Sequence, residues 1–299
     1  MKILKMLLLL LISMVSAIGA VICEVNSISV GSMLGSLIAG LSIPYLIPSI
    51  IDLADNENWK SSQRKLQRAG ILQKDTMIRI SFAYLYRIKV DGKYFLVQST
   101  RTKKYQPAGG AYKFTKEEAE YLRDNIPVES DDRIPIDKKT ENDYRLLVKN
   151  KYLRKFVRRF NATRYRENVT NLYREFDEEI FLTEILDRNA FGPLSYKYCG
   201  RHMTNVEYGR VFRHYELLFA DIIEVQLSDT QKELFRNLMS INCSKYRFAT
   251  ADEIKSLGVK CGDGTNKFED DIANHTYKVL SENADKLTMR NKYKEIITI

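Results

Sequence analysis

The sequence is poor in the residues that build several common kinds of site. It has four cysteines and three histidines among 299 residues. The cysteines show neither the paired spacing of a metal site nor a disulfide framework, and the histidines are scattered without ligand spacing. Internal repeats and low-complexity segments are also absent from the sequence. We therefore expect neither a zinc module, a disulfide scaffold nor a repeat protein, and the cysteine usage suits a reducing environment.

Positive charge is in excess, but a nucleic-acid motif does not accompany it. The formal net charge is +9, which favours a polyanionic partner. No recognised DNA- or RNA-binding motif is present, so nucleic acid is not expected as a partner. Basic residues next to a membrane segment would produce the same excess of charge.

Two long apolar runs occupy the N-terminal part of the chain. They cover about residues 6–22 and 28–51, and Glu24 is the only charged residue between them. At roughly 1.5 Å per helical residue the second run is long enough to cross a bilayer, and the first is near the lower limit. We predict that residues 1–55 form a two-helix transmembrane hairpin and that residues 56–299 form one soluble domain.

The distribution of basic residues predicts the orientation of this hairpin. Lys2 and Lys5 precede the first run, a basic segment from Lys60 to Arg68 follows the second, and the connecting loop has no Lys or Arg. The positive-inside rule then places both termini in the cytoplasm. The alternative is that the first run is a signal peptide, since it has a basic start and small residues near its end. Its cleavage would leave one span and an external domain.

Small residues recur along the second run and predict a helix contact surface. Gly31, Gly35 and Ala39 follow one another at intervals of four, beside a second row of Ser32, Ser36 and Gly40. Such a strip lets another helix approach closely. The sequence leaves open whether that helix is the first span or another subunit.

A cluster of carboxylates follows Arg174 and is the most informative chemical pattern in the chain. On a helix, Glu175, Glu178 and Glu179 would lie on one face. Three crowded carboxylates attract a cation, while another face of the same helix, formed by Leu172, Phe176 and Ile180, would enter a core. The alternative is a solvated helix face with an internal ion pair between Arg174 and Glu178.

Upstream, residues 77–114 predict a β-hairpin and a second turn. Apolar residues alternate from Ile78 to Tyr84, Asp91-Gly92 forms a tight turn, and a second strand runs from Tyr94 to Val97. The chain then reaches Gly109-Gly110, a pair of glycines that lets the backbone approach another group closely.

This order of a hairpin, a Gly-Gly turn and an Arg-Glu-x-x-Glu-Glu segment resembles the Nudix domain. That family binds nucleoside diphosphate compounds through Mg²⁺ held by glutamates. The resemblance implies an α/β fold, an α-β-α sandwich with a mixed sheet, and Mg²⁺ on Glu175, Glu178 and Glu179. The chain departs from the family pattern in two ways: an insertion at about 111–166 separates the glycines from Arg174, and Phe181 replaces the glycine that usually closes the catalytic helix.

The hairpin and the split Nudix-like domain together resemble the two-transmembrane Nudix effectors of CBASS, the bacterial anti-phage systems that signal with cyclic oligonucleotides. The segments that carry this resemblance to the SMODS-associated Nudix-like domain are Gly109–Lys113, Asp132–Pro135, Phe156–Phe160, and Tyr165–Glu167 followed by Arg174–Glu179. It implies a protein of the bacterial inner membrane whose cytosolic domain senses a cyclic di- or trinucleotide. Ligand binding would drive homo-oligomerisation of the hairpins, disrupt the membrane and abort infection.

A phosphate-rich ligand needs positive side chains and exposed backbone amides. The residues that we expect to supply them are Arg101, Lys103, Lys104, Gly109, Gly110 and Lys113. Residues 151–160 predict an amphipathic helix with a basic side, whose partner is left open between ligand phosphates, anionic lipid and solvent.

Two other functions remain open at this point. In a membrane-tethered Nudix hydrolase of nucleoside diphosphate derivatives, Glu178 and Glu179 would be the catalytic candidates. In an interaction scaffold, neither nucleotide nor Mg²⁺ would bind. The membrane hairpin and the split box favour the receptor over the enzyme.

Overall fold

The computed structural model describes residues 2–54, 59–131, 133, 137, 140–209, 211–258, 271–288 and 295–299. The chain forms two compact units, Met1–Lys65 and Leu66–Ile299. The predicted boundary at residues 55 and 56 lies outside the described residues, as do three of the four residues of the segment from Asp132 to Pro135.

The first unit contains two long helices, α1 (Lys2–Val25) and α2 (Ser29–Ala54). Within them, Leu7–Val25 and Ser29–Leu46 have mean hydropathies of 2.4 and 1.4. Only 6% and 12% of these windows are buried, so they differ from core helices of a soluble domain. By length and composition both can cross a membrane. The predicted pair of apolar helices is therefore present and is consistent with association with a membrane.

Small residues of α2 are used inside the hairpin. A Cβ atom added to Gly31 would lie 2.6 Å from Cys23 Sγ, and one added to Gly35 would lie 2.8 Å from the Ser16 carbonyl oxygen. The hydroxyls of Ser13 and Ser42 are 2.7 Å apart. Gly31 and Gly35, from the first row of small residues, thus pack against α1. For these two glycines the approaching helix is therefore the first span and not another subunit.

Helices of the rest of the chain are short. Besides α-helices, the described residues include a π-helix at Asp177–Phe181 and 3₁₀ helices at Asn150–Tyr152, Asn274–Val279 and Ser281–Lys286. The α-helices are α3 (Trp59–Arg68), α4 (Lys116–Asn125), α5 (Leu153–Ala162), α6 (Arg174–Phe176), α7 (Arg188–Phe191), α8 (Asp229–Met239) and α9 (Ala251–Lys255).

The strands of the second unit form two sheets in the described part of the chain. They are β1 (Met77–Arg87), β2 (Lys89–Val90), β3 (Lys93–Gln98), β4 (Tyr105–Gln106), β5 (Gly109–Ala111), β6 (Val128–Ser130), β7 (Arg145–Lys149), β8 (Ser195–Met203), β9 (Glu207–Gly209), β10 (His214–Val225), β11 (Tyr246–Ala249) and β12 (Ile296–Thr298). The larger sheet has the order β12-β8-β10-β1-β7-β6, with β5 on β1 and β9 on β10. Because β1 pairs with β10 in parallel and with β7 antiparallel, this sheet is mixed, and the predicted α/β fold class is confirmed.

The predicted hairpin exists, but its strands differ from those predicted. Asp91 and Gly92, both with positive φ, connect β2 to β3 as expected for a tight turn. The prediction that the strand from Ile78 pairs with the return strand is wrong, because β1 pairs with β10, β7 and β5. The chain leaves β1 at Arg87, and the hairpin joins a second sheet of order β11-β3-β2.

The strand β1 lies at the centre of the larger sheet and has two different faces. On one face, Phe82 contacts Phe160 of α5 with ring centroids 4.6 Å apart, and Tyr86 contacts Phe176 of α6 at 5.3 Å. On the other face, Leu85 belongs to a core that includes Ile254 of α9. The amphipathic helix predicted at residues 151–160 is α5, with its four apolar residues buried. Helices thus cover β1 on both faces.

Candidate functional site

Gly109 and Gly110, at the start of β5, form a turn that contacts the acidic segment of the candidate site. Gly109 has a φ of +142°, and its N–H donates to Glu179 Oε2 at 2.7 Å. A Cβ atom on Gly109 would lie 2.2 Å from the Tyr84 carbonyl oxygen, and one on Gly110 would lie 1.9 Å from Glu175 Oε1. Side chains do not fit here. The close approach that the paired glycines predict is therefore confirmed. The groups that approach are the Tyr84 carbonyl and the carboxylates of Glu175 and Glu179.

The acidic segment is not one regular α-helix. Only Arg174–Phe176 has α geometry, and Asp177–Phe181 continues as a π-helix. The Leu182 N–H, for example, donates five residues back to the Asp177 carbonyl at 2.9 Å. The α-helical stacking assumed for the three glutamates is therefore wrong in detail, because a π turn contains more residues than an α turn. π-bulges occur often at functional sites.

Apolar residues of this segment lie where the sequence predicts. Leu172, Phe176 and Ile180 are fully buried, so the core-facing side is confirmed. The end of the segment also differs from a glycine-closed helix. A left-handed residue does occur there, but it is Glu184, with a φ of 59°, three positions after Phe181.

Arg174 lies at the centre of the carboxylates. Its Nε donates to Glu167 Oε1 at 2.7 Å and its Nη1 to Glu175 Oε1 at 2.6 Å. Its Nη2 donates to the Ala111 carbonyl at 2.9 Å. The ion pair with Glu178 that the sequence suggested is present but longer, at 3.6 Å. One guanidinium thus contacts three carboxylates and the end of β5, the strand that contains the two glycines.

Burial changes the ionisation of two of these acids. Desolvation raises the pKa of Glu175, although the neighbouring Arg174 opposes the change. Desolvation and the charge of Glu175 raise the pKa of Glu179 to about 8, although the Gly109 N–H lowers it. Each ionised carboxylate therefore makes ionisation of the other less favourable, as expected where like charges share a small volume.

Carboxylate oxygens at this site suit a hard divalent cation such as Mg²⁺. Burial raises the pKa of the Tyr84 hydroxyl, and the charges of Glu167 and Glu175 raise it further. This hydroxyl has no hydrogen-bond partner among the described residues. Within the described residues, however, no group of three Asp, Glu, His or Cys side chains is arranged to hold one ion. Arg174 lies among the oxygens that a cation would use. The donor chemistry therefore fits Mg²⁺, and the arrangement requires Arg174 to share or give up its partners.

Two acids that the sequence pattern did not assign extend the site. Glu167 Oε2 accepts the Lys113 backbone N–H at 2.9 Å. The Lys113 side chain donates to Asp143 at 3.1 Å, and Asp143 also pairs with Arg145 at 3.2 Å. In the sequence, Glu167 was noted only as the end of the segment Tyr165–Glu167, which carries the resemblance to the SMODS-associated Nudix-like domain, and no role was assigned to it.

The structure separates the residues predicted to bind ligand phosphates. Gly109, Gly110 and Lys113 lie at the carboxylates. Lys103 and Lys104 are in a tight turn after β3, where the Ser99 N–H donates to the Lys104 carbonyl at 2.9 Å. Arg101, in the same turn, is exposed.

The basic side of α5 is used within the domain at several positions. Arg159 pairs with the fully buried Glu118 at 2.6 Å, and Lys151, which precedes α5, pairs with Asp75 at 2.8 Å. These contacts favour a structural role over phosphate binding for those two residues.

Comparison with known proteins identifies the domain that carries this site. A family model described as the SMODS-associated NUDIX domain matches residues 77–280, a range that includes the glycine turn, Arg174 and all three glutamates. No curated protein matches the chain. The two apolar helices precede the matched range. On this match, the chain belongs to the SMODS-associated NUDIX domain family.

Proposed function

We propose that this protein is the membrane effector of a CBASS-type anti-phage system. Its NUDIX domain senses a cyclic di- or trinucleotide, and the bound state promotes homo-oligomerisation of the N-terminal hairpins. Assembled hairpins then disrupt the bacterial inner membrane and abort the infection. Both termini lie in the cytoplasm, where a nucleotide made during infection would be found.

One observation carries this proposal. A SMODS-associated NUDIX domain is joined on one chain to two helices that are long and apolar enough to cross a membrane. A soluble hydrolase has no need of such helices, whereas a receptor that acts on a membrane does. The binding region expected for phosphates lies at the glycine turn, with Mg²⁺ on Glu178, Glu179 and Glu175 reducing the repulsion between carboxylates and phosphates.

Binding alone does not activate such a protein. A ligand shifts an equilibrium only by the difference in its affinity for the two states. Moving from mostly inactive to mostly active molecules takes about 5.5 kcal/mol, within the roughly 8 kcal/mol that a micromolar ligand provides. The nucleotide must therefore bind much better to the assembled form than to the separate chains.

The test uses the purified full-length protein in detergent micelles. It is incubated with Mg²⁺ and a panel of cyclic di- and trinucleotides and linear nucleoside diphosphate derivatives, and retained and altered nucleotides are separated by chromatography. We expect one cyclic nucleotide to be retained intact and to increase the particle mass measured by light scattering. Retention of no nucleotide, or binding without any change in mass, would contradict the receptor.

A second function is favoured by one specific observation. The structure brings Glu175 and Glu179, two of the glutamates on which the resemblance to Nudix domains implies Mg²⁺, against the glycine turn. If such an enzyme operates here, Glu178 and Glu179 assist Mg²⁺ binding and water activation. Product formation that disappears in Glu178→Gln, with the protein still in the membrane fraction, would establish the hydrolase instead of the receptor.

A further inference from the structure

The chain enters the second unit at one end of the larger sheet. The last turn of α3 is held there by Gln67, whose side-chain N–H donates to Asn150 Oδ1 at 3.2 Å. The Asn150 side chain donates to the Gln73 carbonyl at 2.9 Å, and its backbone N–H donates to the Thr76 carbonyl at 2.9 Å. The end of α3 is therefore fixed to the residues that lead into β1, beside the end of β7.

Residues 211–213, between β9 and β10, lie at the same end of the sheet. Ile78, the second residue of β1, is paired with Tyr215, and Tyr215 is paired with Tyr208 of β9. Since neighbouring strands are about 4.8 Å apart, Tyr208 lies about 10 Å from the start of β1. The Phe212 ring packs on the Arg79 guanidinium, with 3.9 Å between the ring centroid and Cζ. These residues are therefore fixed against β1.

Arg79 provides a packed support for this turn. Its side chain is buried and pairs with two carboxylates, those of Asp131 after β6 and Glu216 of β10. The Glu216 carboxylate also lies over Gly209, where an added Cβ atom would be 2.3 Å from Glu216 Cδ. The exposed side chains of the turn are therefore presented by a well-packed part of the domain.

Three large apolar side chains are exposed at this end of the sheet. Val211 is 85% exposed, Tyr208 is 54% exposed, and Ile71, which follows α3, is 49% exposed. Exposed basic side chains lie at the same end, namely those of Arg68, Lys74 and Arg213. A single exposed apolar residue is ordinary, but a group of them marks an interaction surface. We call these six residues the entry surface.

Apolar side chains between basic ones are the composition of a membrane-interface contact. Tyr lies at the level of the headgroups, aliphatic side chains reach the boundary with the acyl chains, and Lys and Arg attract anionic lipid. The chain reaches the entry surface through α3 from α2, one of the two helices that can cross a membrane. From Trp59 to Lys74 the sequence has five basic residues and no acidic residue.

Two acids adjoin the entry surface in sequence. Asp75 is paired with Lys151 at 2.8 Å. Glu207 precedes Tyr208 on β9, and its side chain points to the opposite face of the strand, because successive side chains alternate. Anionic headgroups would therefore meet the basic side chains of the entry surface before these acids.

A second copy of the chain fits the entry surface less well than lipid does. In a two-fold contact the same patch lies on both subunits, so the three basic side chains would approach their own counterparts. Like charges brought together in this way disfavour the contact. An anionic bilayer supplies the opposite charge and also accepts the apolar side chains.

We propose that the entry surface is a further membrane contact of this protein, made with anionic phospholipid. Its apolar side chains enter the headgroup region, and its basic side chains bind lipid phosphates. The contact holds the NUDIX domain at the membrane surface by side chains as well as by the connecting chain. This inference rests on the proposed function for the membrane that holds α1 and α2, but it requires no nucleotide.

The experiment uses the full-length protein in lipid nanodiscs without nucleotide. Two variants each add one tryptophan, Val211→Trp on the entry surface and Leu182→Trp as the matched control. Leu182 is 67% exposed and follows the acidic segment at the glycine turn, which pairs with the opposite half of β1. The wild type contains Trp59 alone and gives the signal to subtract.

The discs contain phosphatidylcholine with or without phosphatidylglycerol, and acyl chains brominated near the headgroup quench tryptophan fluorescence. We expect quenching of the added fluorescence of Val211→Trp in discs with phosphatidylglycerol, and none for Leu182→Trp. A basic side chain near an anionic surface strengthens binding by about fivefold. Arg213→Gln, added to Val211→Trp, should therefore lower the ratio of lipid-bound to free tryptophan by about fivefold, whereas Lys255→Gln, on α9, should leave it unchanged.

Three results would overturn the inference. The first is equal quenching of the two added tryptophans, and the second is quenching of Val211→Trp that is the same with and without phosphatidylglycerol. The third is a blue shift of Val211→Trp that lipid does not quench and that grows with the number of copies per disc. That result would assign the entry surface to a second copy.

The outcomes separate this inference from the proposed function. Quenching of Val211→Trp in a protein that retains no cyclic nucleotide would support the entry surface and refute the receptor. Retention of a cyclic nucleotide with Val211→Trp unquenched would support the receptor and refute the entry surface. Failure of the protein to enter the discs would refute both.

Discussion

Around Arg174, three carboxylates share one guanidinium at 2.6 to 3.6 Å, whereas the Arg159 guanidinium of α5 pairs with a single buried carboxylate, Glu118, at 2.6 Å. The first region therefore holds more acidic than basic groups, and the second holds one of each. This difference teaches that a cation finds surplus carboxylates around Arg174, with which it must compete, whereas the pair of Arg159 and Glu118 offers none.

The largest effect is expected from removing the internal counter-ion. Arg174→Met leaves partly buried Glu167 and Glu175 without their partner, and breaking such a pair costs about 3 kcal/mol. In a domain of this size each kcal/mol lowers the melting temperature by about 2 to 4 °C. Thermal unfolding followed by circular dichroism measures the loss.

Adding Mg²⁺ to the same melting experiment tests whether Arg174 competes with a cation. If Arg174 competes with a cation, Mg²⁺ should raise the melting temperature of Arg174→Met more than that of the wild type. The control is Arg236→Met, which breaks exposed ion pairs with Asp91 and Glu233 and should change little. Wild-type stability in Arg174→Met would contradict the central role of Arg174.

A smaller effect is expected from filling the glycine turn. In Gly110→Ala the new Cβ atom would lie 1.9 Å from Glu175 Oε1, and overpacking of this kind costs about 1 to 3 kcal/mol. Chemical denaturation measures the change. Because the obstacle is the Glu175 side chain, the same substitution should cost less in a Glu175→Ala background. Additive effects in this double-mutant cycle would show that the two residues are not in contact.

The smallest effect concerns the pH dependence of stability due to His202, on β8. Desolvation, followed by the charge of Lys278, lowers the pKa of His202 to about 4 in the folded protein. The unfolded chain, with a His pKa of about 6.5, binds the proton first as the pH falls. Stability due to neutral His202 is therefore complete above about pH 6.5 and is lost between there and about pH 4.

In His202→Gln this loss is absent, so the variant should gain stability relative to the wild type as the pH falls through that window. The gain is at most about 3 kcal/mol, and less where solvent screens the half-buried ring. Urea unfolding at pH 7 and pH 4.5 measures it. A constant difference between the two proteins at both pH values would show that His202 titrates normally.

Periodicity and short motifs predicted the elements whose contacts are local. Leu172, Phe176 and Ile180 enter the core because their spacing defines one side of the segment. The two apolar helices were also predictable, because their length and composition are read directly from the sequence. The close approach at Gly109 and Gly110 was predictable because glycine lacks a Cβ atom.

Distant pairings were not predictable in the same way. β1 joins β10 more than a hundred positions later, so the sequence around Asp91-Gly92 could not exclude a direct pairing of β1 with β3. Periodicity also could not show the π turn at Asp177–Phe181.

The packing of Gly31 and Gly35 against α1 has a consequence for how copies of the protein would recognise one another. With these glycines facing inward, the outward surface of the hairpin consists largely of exposed Leu, Ile, Val and Met side chains. Flexible apolar side chains fit one another in many alternative registers and specify few. Such a surface favours association without selecting one arrangement, so the number and arrangement of copies would have to be set by the NUDIX domains.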